Sequence, residues 1–534
     1  MMMAIITVFS ACGTKPSNSD DETNSGVILT EDNTMPIVKD GSVTLTVAAY
    51  DNYYTAASYK NNLPVWKAIE EKTGVKINWD VIPSGQYAQT MTIRLASAED
   101  HPDLFTIPSS DPVKYGTDGI VVPMNDLIDK YAPNTKKFLE DNPAIRSLLT
   151  APDGNIYRLA SVTKGENLSE PSSWLIRKDW LDKLNLKEPT TIDEWYDVLK
   201  AFKEKDPNGN GKADELPMVF AHYTGLNTFG NAWGLHLSSS EGFWPNEDGQ
   251  MEYEWQDERA KELVKFLRKL HKEGLIEPDY LSTNTDGLKT KTTKNLVGAT
   301  FAYMNYMDTA DKMLKSAGVD DSNWIAVVPP QGPNGYKGHI EKSPPLAGFF
   351  AISSTSKYKE IAMKWLDYVY ASEEGNLFTT FGIEGLSYEM VDGEPVLTDW
   401  ALNNPDGLDI TSALRSIGAA PTLPYIRSEE GIYSRFPKAS IVNNTKRQEG
   451  VKKVTPYLVD CFPRSLILAT AEESMTMQPL MADLDSTVQE WVAKFITGSA
   501  DIDDKWDDFQ KDLKKVGIDK ILKIEQQQYE RYKN

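Results

Sequence analysis

The chain has 534 residues, enough for two or three domains that each bury a core of their own. At 40% hydrophobic and 25% charged, its composition is that of an ordinary globular protein. The formal net charge of −22 argues against nucleic acid or anionic lipid as a partner held by charge, since both repel an acidic surface, and leaves an uncharged ligand open.

The first residues read as a leader. Ala4–Ala11 is a short apolar stretch ending in small residues, followed by Cys12. This resembles the end of a bacterial lipoprotein signal, in which residues 1–11 are a signal-peptide remnant and Cys12 carries the lipid. It departs from that pattern in having no Lys or Arg before the apolar stretch. From Gly13 to about Lys39 the chain is rich in Ser, Asn, Asp and Thr, so 12–40 is expected to be a flexible tether. No other stretch approaches the roughly 20 apolar residues of a membrane span, and the remainder is expected to be soluble.

The globular part opens with a β-branched strand at 43–49. A helix at 62–73 stops at Gly74, a strand runs over 75–79, a helix over 86–98 and a strand over 103–107. Strand–helix–strand at this spacing predicts a doubly wound α/β lobe. Further on, a strand at 174–177, a short helix at 179–184 and a helix at 191–205 open a second α/β region. Thr191 and Glu194 form a capping box, and Trp195, Val198, Leu199 and Phe202 recur at helical spacing.

That helix runs into Asp206-Pro207-Asn208-Gly209-Asn210-Gly211-Lys212-Ala213-Asp214-Glu215. Oxygen-bearing side chains stand at positions 1, 3, 5 and 9 of a loop, Gly211 stands at position 6, and Lys212 offers its carbonyl. An EF-hand calcium loop uses this order. Position 12 is Pro217 where the motif has a bidentate Glu, and Leu216–Phe220 reads as a strand where the motif has a second helix. Glu215 at position 10 can close the cage. A single helix has no partner to pivot against, so the predicted Ca²⁺ is a structural clamp and not a sensor.

Beyond the loop, an amphipathic helix at 258–271 ends at Gly274. Strands are expected at 298–303, 324–328 and 349–352, the last leading into a helix at 357–371. Helices at 480–496, 503–516 and 518–532 close the chain, which has no internal repeat. Cys461, in the apolar run Tyr457–Phe462, reads as a buried free thiol.

Thirteen Trp and 24 Tyr are a high aromatic load, and flat rings can serve as platforms for sugar faces as well as core. Candidate platforms are Trp233, Trp255, Tyr303, Tyr306, Phe349, Tyr388 and Tyr425. Glu384, after a Gly-Ile turn, is a candidate acceptor. Asp51, Asn52 and Tyr54 follow the first strand, at the end where α/β lobes bind ligands. Catalytic signals are lacking: His101, His222, His236, His271 and His339 make no HExxH pair and no zinc-ligand spacing, and no GxSxG elbow or phosphate loop stands in the right context.

The chain resembles the large solute-binding lipoproteins of ATP-driven oligosaccharide importers, including the periplasmic alginate-binding proteins. The resemblance runs from about residue 42 to 534. It is carried by Glu71–Ile77, Ala96–Asp103, Gly119–Ile128, Ile176–Leu181, the 206–215 loop, Lys272–Ile276, Gly382–Gly385 and Gln527–Arg531. It implies a type II periplasmic-binding-protein clamshell of the α/β class, each lobe a mostly parallel sheet flanked by helices, with lobe crossings near 160–175 and 340–348. The expected division is 41–170 with 346–430 as lobe one and 171–345 as lobe two. A helical region, 431–534, packs on both. It also implies calcium on Asp206, Asn208, Asn210, the Lys212 carbonyl, Asp214 and Glu215, and favours Trp233, Tyr306 and Tyr425 among the platforms. The implied role is a monomeric, non-enzymatic oligosaccharide receptor that closes on its ligand and serves an ABC permease from the outer face of a bacterial, Gram-positive membrane. An extracellular glycoside hydrolase, or a peptide receptor on the same fold, is the alternative; among 78 acidic residues no pair stands out as acid and base.

Overall fold

The structure is a computed structural model and describes residues 27–30, 34–50, 55–97, 101–107, 112–164, 171–238, 240–342, 344–428 and 445–533. Cys12, most of the tether, Asp51, Asn52 and Tyr54 lie outside the described residues.

Strands β1 (Val43–Tyr50), β2 (Val75–Ile82), β3 (Leu104–Thr106) and β4 (Leu159–Lys164) come first, then β5 (Ser172–Arg177) and β6 (Leu216–Met218). A small hairpin, β7 (Phe243–Pro245) with β8 (Met251–Tyr253), precedes β9 (Val297–Tyr303), β10 (Trp324–Val327), β11 (Ile340–Glu341) and β12 (Leu346–Ile352). The hairpin β13 (Tyr388–Val391) with β14 (Glu394–Leu397), then β15 (Ile426–Ser428) and β16 (Leu458–Val459), complete the set.

The first sheet has the order β15-β4-β12-β3-β1-β2. Its β1–β2 pair is parallel, in register from Val43↔Val75 to Tyr50↔Ile82. The helix Pro64–Thr73 makes that crossover. Pro64 sits in its first turn, and Gly74, at φ 66°, ends it by donating to the Glu70 carbonyl at 2.8 Å. A Cβ at Gly74 would stand 1.9 Å from the Val38 carbonyl oxygen, so the close approach as well as the dihedral demands glycine.

The second sheet has the order β10-β5-β9-β6. Here the expectation of a mostly parallel sheet is corrected: β5 pairs antiparallel with both β9 and β10, and only β6 with β9 is parallel. Along β5 the side chains alternate, Trp174 and Ile176 entering the core on one face and Leu175 the smaller core on the other. With both faces covered, its central residues Trp174, Leu175 and Ile176 are all apolar, and such a run does not reveal its pairing direction.

The chain leaves the first sheet after β4, builds the second and re-enters the first at β12. The first core accordingly gathers residues from Ile37–Val162 and Leu346–Leu468, and the second from Trp174–Val327 and Phe462–Ile524. The closing helices, Ala471–Thr497, Ile502–Val516 and Ile518–Lys533, bury Leu484, Phe495, Trp506, Phe509, Leu513 and Ile521 in the second core. Among the described residues no helix is long and apolar enough to cross a membrane.

Candidate functional site

The helix Ile192–Glu204 delivers the 206–215 loop. Thr191 caps it: its hydroxyl accepts from Glu194 N at 3.2 Å, while Glu194 Oε2 accepts from Thr190 N at 2.7 Å and Thr191 N at 3.2 Å. Trp195, Val198, Leu199 and Phe202 are buried on one face, anchoring the helix whose end presents the loop. Asp206, Gly209 and Gly211 all take positive φ, 46°, 72° and 75°, which coils the chain tightly. Side-chain oxygens then hold the coil from within. Asp206 Oδ1 and Oδ2 accept from Asn210 N and Gly211 N at 3.1 and 2.9 Å, Asn208 Oδ1 from Asn210 N at 3.0 Å, and Asn210 Oδ1 from Lys212 N at 2.8 Å. Asp214 Oδ1 accepts from the amides of Asn208 and Asn210 at 3.3 and 3.0 Å.

Glu215 is the informative member. It is 3% exposed, and neither carboxylate oxygen makes a hydrogen bond. Burial pushes its ionisation up, and the charges of Asp206 and Asp214 push it further in the same direction. A buried carboxylate beside two others, with no donor to satisfy it, is costly unless a cation joins the group. Three carboxylates, two amides and the Lys212 carbonyl suit a hard, oxygen-seeking cation such as Ca²⁺. Immediately beyond, Leu216 enters β6, in place of a second helix.

A cavity of about 390 Å³ lies between the two cores. Asn305, Asp308, Asp311 and Lys312 line it from the start of the helix Tyr306–Ser316, on the second-sheet side. Leu402, Asn403, Asp409 and Ile410 line it from the first-sheet side, and Arg447 joins from the helix Thr445–Val454, which packs on β10 of the second sheet. Two contacts already bridge the sides: Lys312 Nζ donates to the Leu408 carbonyl at 2.7 Å, and Thr309 Oγ1 to Asp409 Oδ2 at 3.4 Å. Arg447 is mostly buried, 3.9 Å from Asp308, and burial lowers its ionisation to about 10. Asp311 is raised by burial, against the pull of its ion pair with Lys446 and of Trp324 N at 3.0 Å. Three carboxylates thus face two cations, and the lining carries no strong single sign.

The structure does not gather the expected aromatic platforms around this cavity. Trp233 is 4% exposed and packs against Phe266, ring centres 5.6 Å apart, inside the second core. Tyr306 is buried, its hydroxyl 2.7 Å from Thr292 Oγ1 and its ring edge-on to Trp324. Tyr388 is buried beside Phe381 in the first core. Trp255 is buried too, but borders a second cavity, about 330 Å³, beneath the helix Ala471–Thr497. Phe349 is half-buried under the Arg158 guanidinium at 3.5 Å. Tyr425 is half-buried on the strand edge, its carbonyl accepting from Val162 N at 2.9 Å. Tyr303 alone is wide open, at 62% exposed, two residues before Asn305 of the cavity wall. Glu384 is exposed in its turn, near enough for its charge to act on Tyr388. Of the polar wall residues, Asn305, Asn403 and Asp409 stand at helix ends and Lys312 within the helix Tyr306–Ser316, and none carries a sequence signal for ligand binding. Cys461 is partly buried, and burial together with the Glu341 charge pushes its thiol up to about 11.

Two α/β bodies exchanged by the chain, with a polar cavity walled by both, define a two-lobed solute receptor. The chain belongs to the bacterial extracellular solute-binding protein family, whose pattern matches residues 54–376. Residues 475–534 match a second pattern, a domain of unknown function (DUF3502). The chain is 28% identical over 561 aligned positions to the fructooligosaccharide ABC transporter substrate-binding protein FusA of Streptococcus pneumoniae, covering 100% of this chain and 97% of that one. Among solved structures it is similar to the alginate-binding protein AlgQ2 without calcium ion, with TM-score 0.78 and 27% identity over 91% of this chain and 98% of that one. It is similar also to FusA in complex with kestose, with TM-score 0.75 and 25% identity over 92% and 99%. FusA has also been solved as an EF-hand mutant in complex with fructo-nystose.

Proposed function

We propose that this protein binds an oligosaccharide in the cleft between its lobes and presents it, by closure, to the membrane subunits of an ABC importer. The observation that carries the reading is the 390 Å³ cavity lined from both cores by amides, carboxylates and cations. Such a wall supplies hydrogen-bond partners for hydroxyls and makes closure depend on the ligand touching both sides. The near-balance of charge in that wall favours a neutral sugar over a polyanion. Full-length similarity to a fructooligosaccharide receptor supports the same class. Asn305, Asp308, Asn403 and Asp409 are the proposed hydrogen-bonding set, with the exposed Tyr303 and the half-buried Tyr425 as candidate platforms. Asp51 and Tyr54 stay proposed, as residues next to β1. The lobe division 41–170 with 346–430 against 171–345 is supported by the partition of the two cores.

Calcium at the 206–215 loop is part of the proposal, supported by the unsatisfied Glu215 carboxylate and by similarity to AlgQ2, solved without calcium ion, and to FusA, solved as an EF-hand mutant. Its place at a helix-to-strand corner makes it a clamp on the second lobe. Lipidation at Cys12 would hold the receptor at the outer membrane face.

A thermal-shift screen of the calcium-loaded protein tests the reading, using kestose, nystose, alginate oligomers, galacturonan oligomers and short peptides. A neutral fructan or similar saccharide should raise the melting temperature by a few degrees at about 100 Kd, where ligand linkage is worth about 2.7 kcal/mol, and should be recovered intact. Stabilisation by peptides alone, or saccharide cleavage in proportion to protein, would overturn it in favour of a peptide receptor or a hydrolase.

A further inference from the structure

We propose that His236, His339 and Glu341 form a binding site for a divalent transition metal of the zinc type, separate from the 206–215 loop. One nitrogen or carboxylate oxygen from each of the three lies within 4.8 Å of the others. The chain brings them from far apart. His236 follows the 3-10 segment Tyr223–Trp233 and is pinned between Leu235 and Leu237, both buried in the second core. His339 immediately precedes β11 and Glu341 lies on it, on either side of the buried Ile340, and residues two apart in extended chain face the same way. Strand β11 is itself held by β16, with Ile340 opposite Leu458 and Glu341 opposite Val459.

Each ligand is either oriented or left wanting. The His236 ring is stacked on Trp244, centres 3.5 Å apart and planes within 5°. Its Nδ1 lies 3.1 Å from Glu254 Oε1, while its backbone N–H donates to Glu254 Oε2 at 2.6 Å. With Nδ1–H donating to the buried Glu254 carboxylate, Nε2 carries the free lone pair, an arrangement that readies imidazole for a metal. The His339 ring lies 4.8 Å from that of His236, and its backbone carbonyl accepts from Asn231 Nδ2 at 3.0 Å. His339 is 9% exposed and the Glu341 side chain 5%, yet His339 Nε2 and both Glu341 oxygens make no hydrogen bond.

These orphan atoms face each other at 3.6 Å, too far for a hydrogen bond. The separation is close to the edge of a tetrahedron built on metal–ligand bonds of about 2.0–2.1 Å, which is about 3.4 Å. One ion in the centre would satisfy His339 and Glu341, whose facing atoms make no hydrogen bond, and would take the remaining nitrogen of His236, which Glu254 already orients. Two imidazoles and one carboxylate suit zinc, whereas the all-oxygen loop at 206–215 suits calcium. A metal here would fasten β11, just before the chain returns to the first lobe at β12, to the core of the second.

The full chain, stripped with chelator and dialysed against excess calcium, is titrated with zinc, and bound metal is counted by mass spectrometry. We expect about one zinc per chain, a coordination of this kind being complete with a single ion. Glu341→Gln and His339→Ala should each abolish that uptake, and Glu254→Gln, which loosens the His236 ring, should weaken it about 10–100-fold. The Asp206→Ala/Asp214→Ala double variant should keep it. Near-UV circular dichroism and retained calcium uptake check that variants fold. His236→Ala, at the more open edge, is the second variant should Glu341→Gln misfold. No zinc in the presence of calcium, equal zinc in Glu341→Gln and the parent, or zinc lost with Asp206 and Asp214 would each overturn the site, leaving His339 and Glu341 an ion pair only.

Discussion

Glu215 shows how a residue read as an afterthought in the sequence can become the sharpest mark of a site. By spacing it stands at position 10, off the regular ligand positions, but by burial it is the loop carboxylate with no hydrogen-bond partner. Calcium should therefore bind to the parent, and Asp206→Ala/Asp214→Ala should lose it. Calcium is expected to raise the parent melting temperature by about 2–4 °C at 100 Kd, by the usual linkage arithmetic, and to leave the variant unmoved. Equal melting curves of parent and variant in chelator would show that the change acts through the metal. A second residue-scale test concerns Asp367. It is buried and accepts from Thr135 N, Thr135 Oγ1, Asn134 Nδ2 and Asn134 N at 2.7, 2.8, 2.8 and 3.4 Å. Burial nonetheless holds its ionisation above the usual value. The folded state then binds this proton more tightly than the unfolded chain does, so its contribution to stability falls as pH rises from the ordinary aspartate value through the raised one. Asp367→Asn lacks that slope. It should be less stable by about 1–3 kcal/mol, having set an amide where four donors converge. The gap between parent and variant, read by urea unfolding from pH 4.5 to 7.5, should narrow as pH rises.

Among elements, legibility followed the number of local signals. The helix before the loop carries a capping box, an apolar stripe and a stop, and it lies at 192–204, close to the expected 191–205. Thr191→Ala should therefore cost about 1 kcal/mol, a typical cap loss, and lower the melting temperature without altering calcium stoichiometry. Loss of calcium in that variant would mean that the cap, and not the ligand set alone, holds the loop. The sequence places the long helix near the C-terminus at 480–496 only. It begins at 471, where Thr470 and Glu473 form a second capping box, and accommodates Pro479 inside it. A proline removes one bond and strains one turn, a cost that burial of Met477 and Leu484 on the second core can offset. Aromatic residues were the least legible. Trp233, Tyr306 and Tyr388 sit in segments whose polar neighbours suggest an open loop, yet their rings fill the cores. Sequence reports that a ring is large and apolar, but whether its face meets protein or solvent is decided by elements far away in the chain. The same distance hides His236 from His339, which no local spacing connects.

At the scale of the molecule, function depends on how the two lobes are held, and one side chain stands at that balance. Lys312 belongs to the second lobe, lines the cleft and donates to the Leu408 carbonyl on the opposite side. Closure is a population shift, so each contact across the cleft favours the closed state by its own free energy. A charge-assisted bond of this kind is worth about 1.5–3 kcal/mol where water is excluded, and less in an open cleft. Lys312→Ala should thus enlarge the radius of gyration of the ligand-free protein in X-ray scattering, and a saturating saccharide should restore compactness to both forms. Apparent affinity should fall about tenfold, since a shift of 1.4 kcal/mol in the competent population is a factor of ten in the apparent constant. Melting temperature without ligand should barely move, because neither core loses a buried group. A variant that binds tenfold more weakly while its ligand-free scattering stays identical to the parent would assign Lys312 to direct ligand contact, and the closure role would then fall.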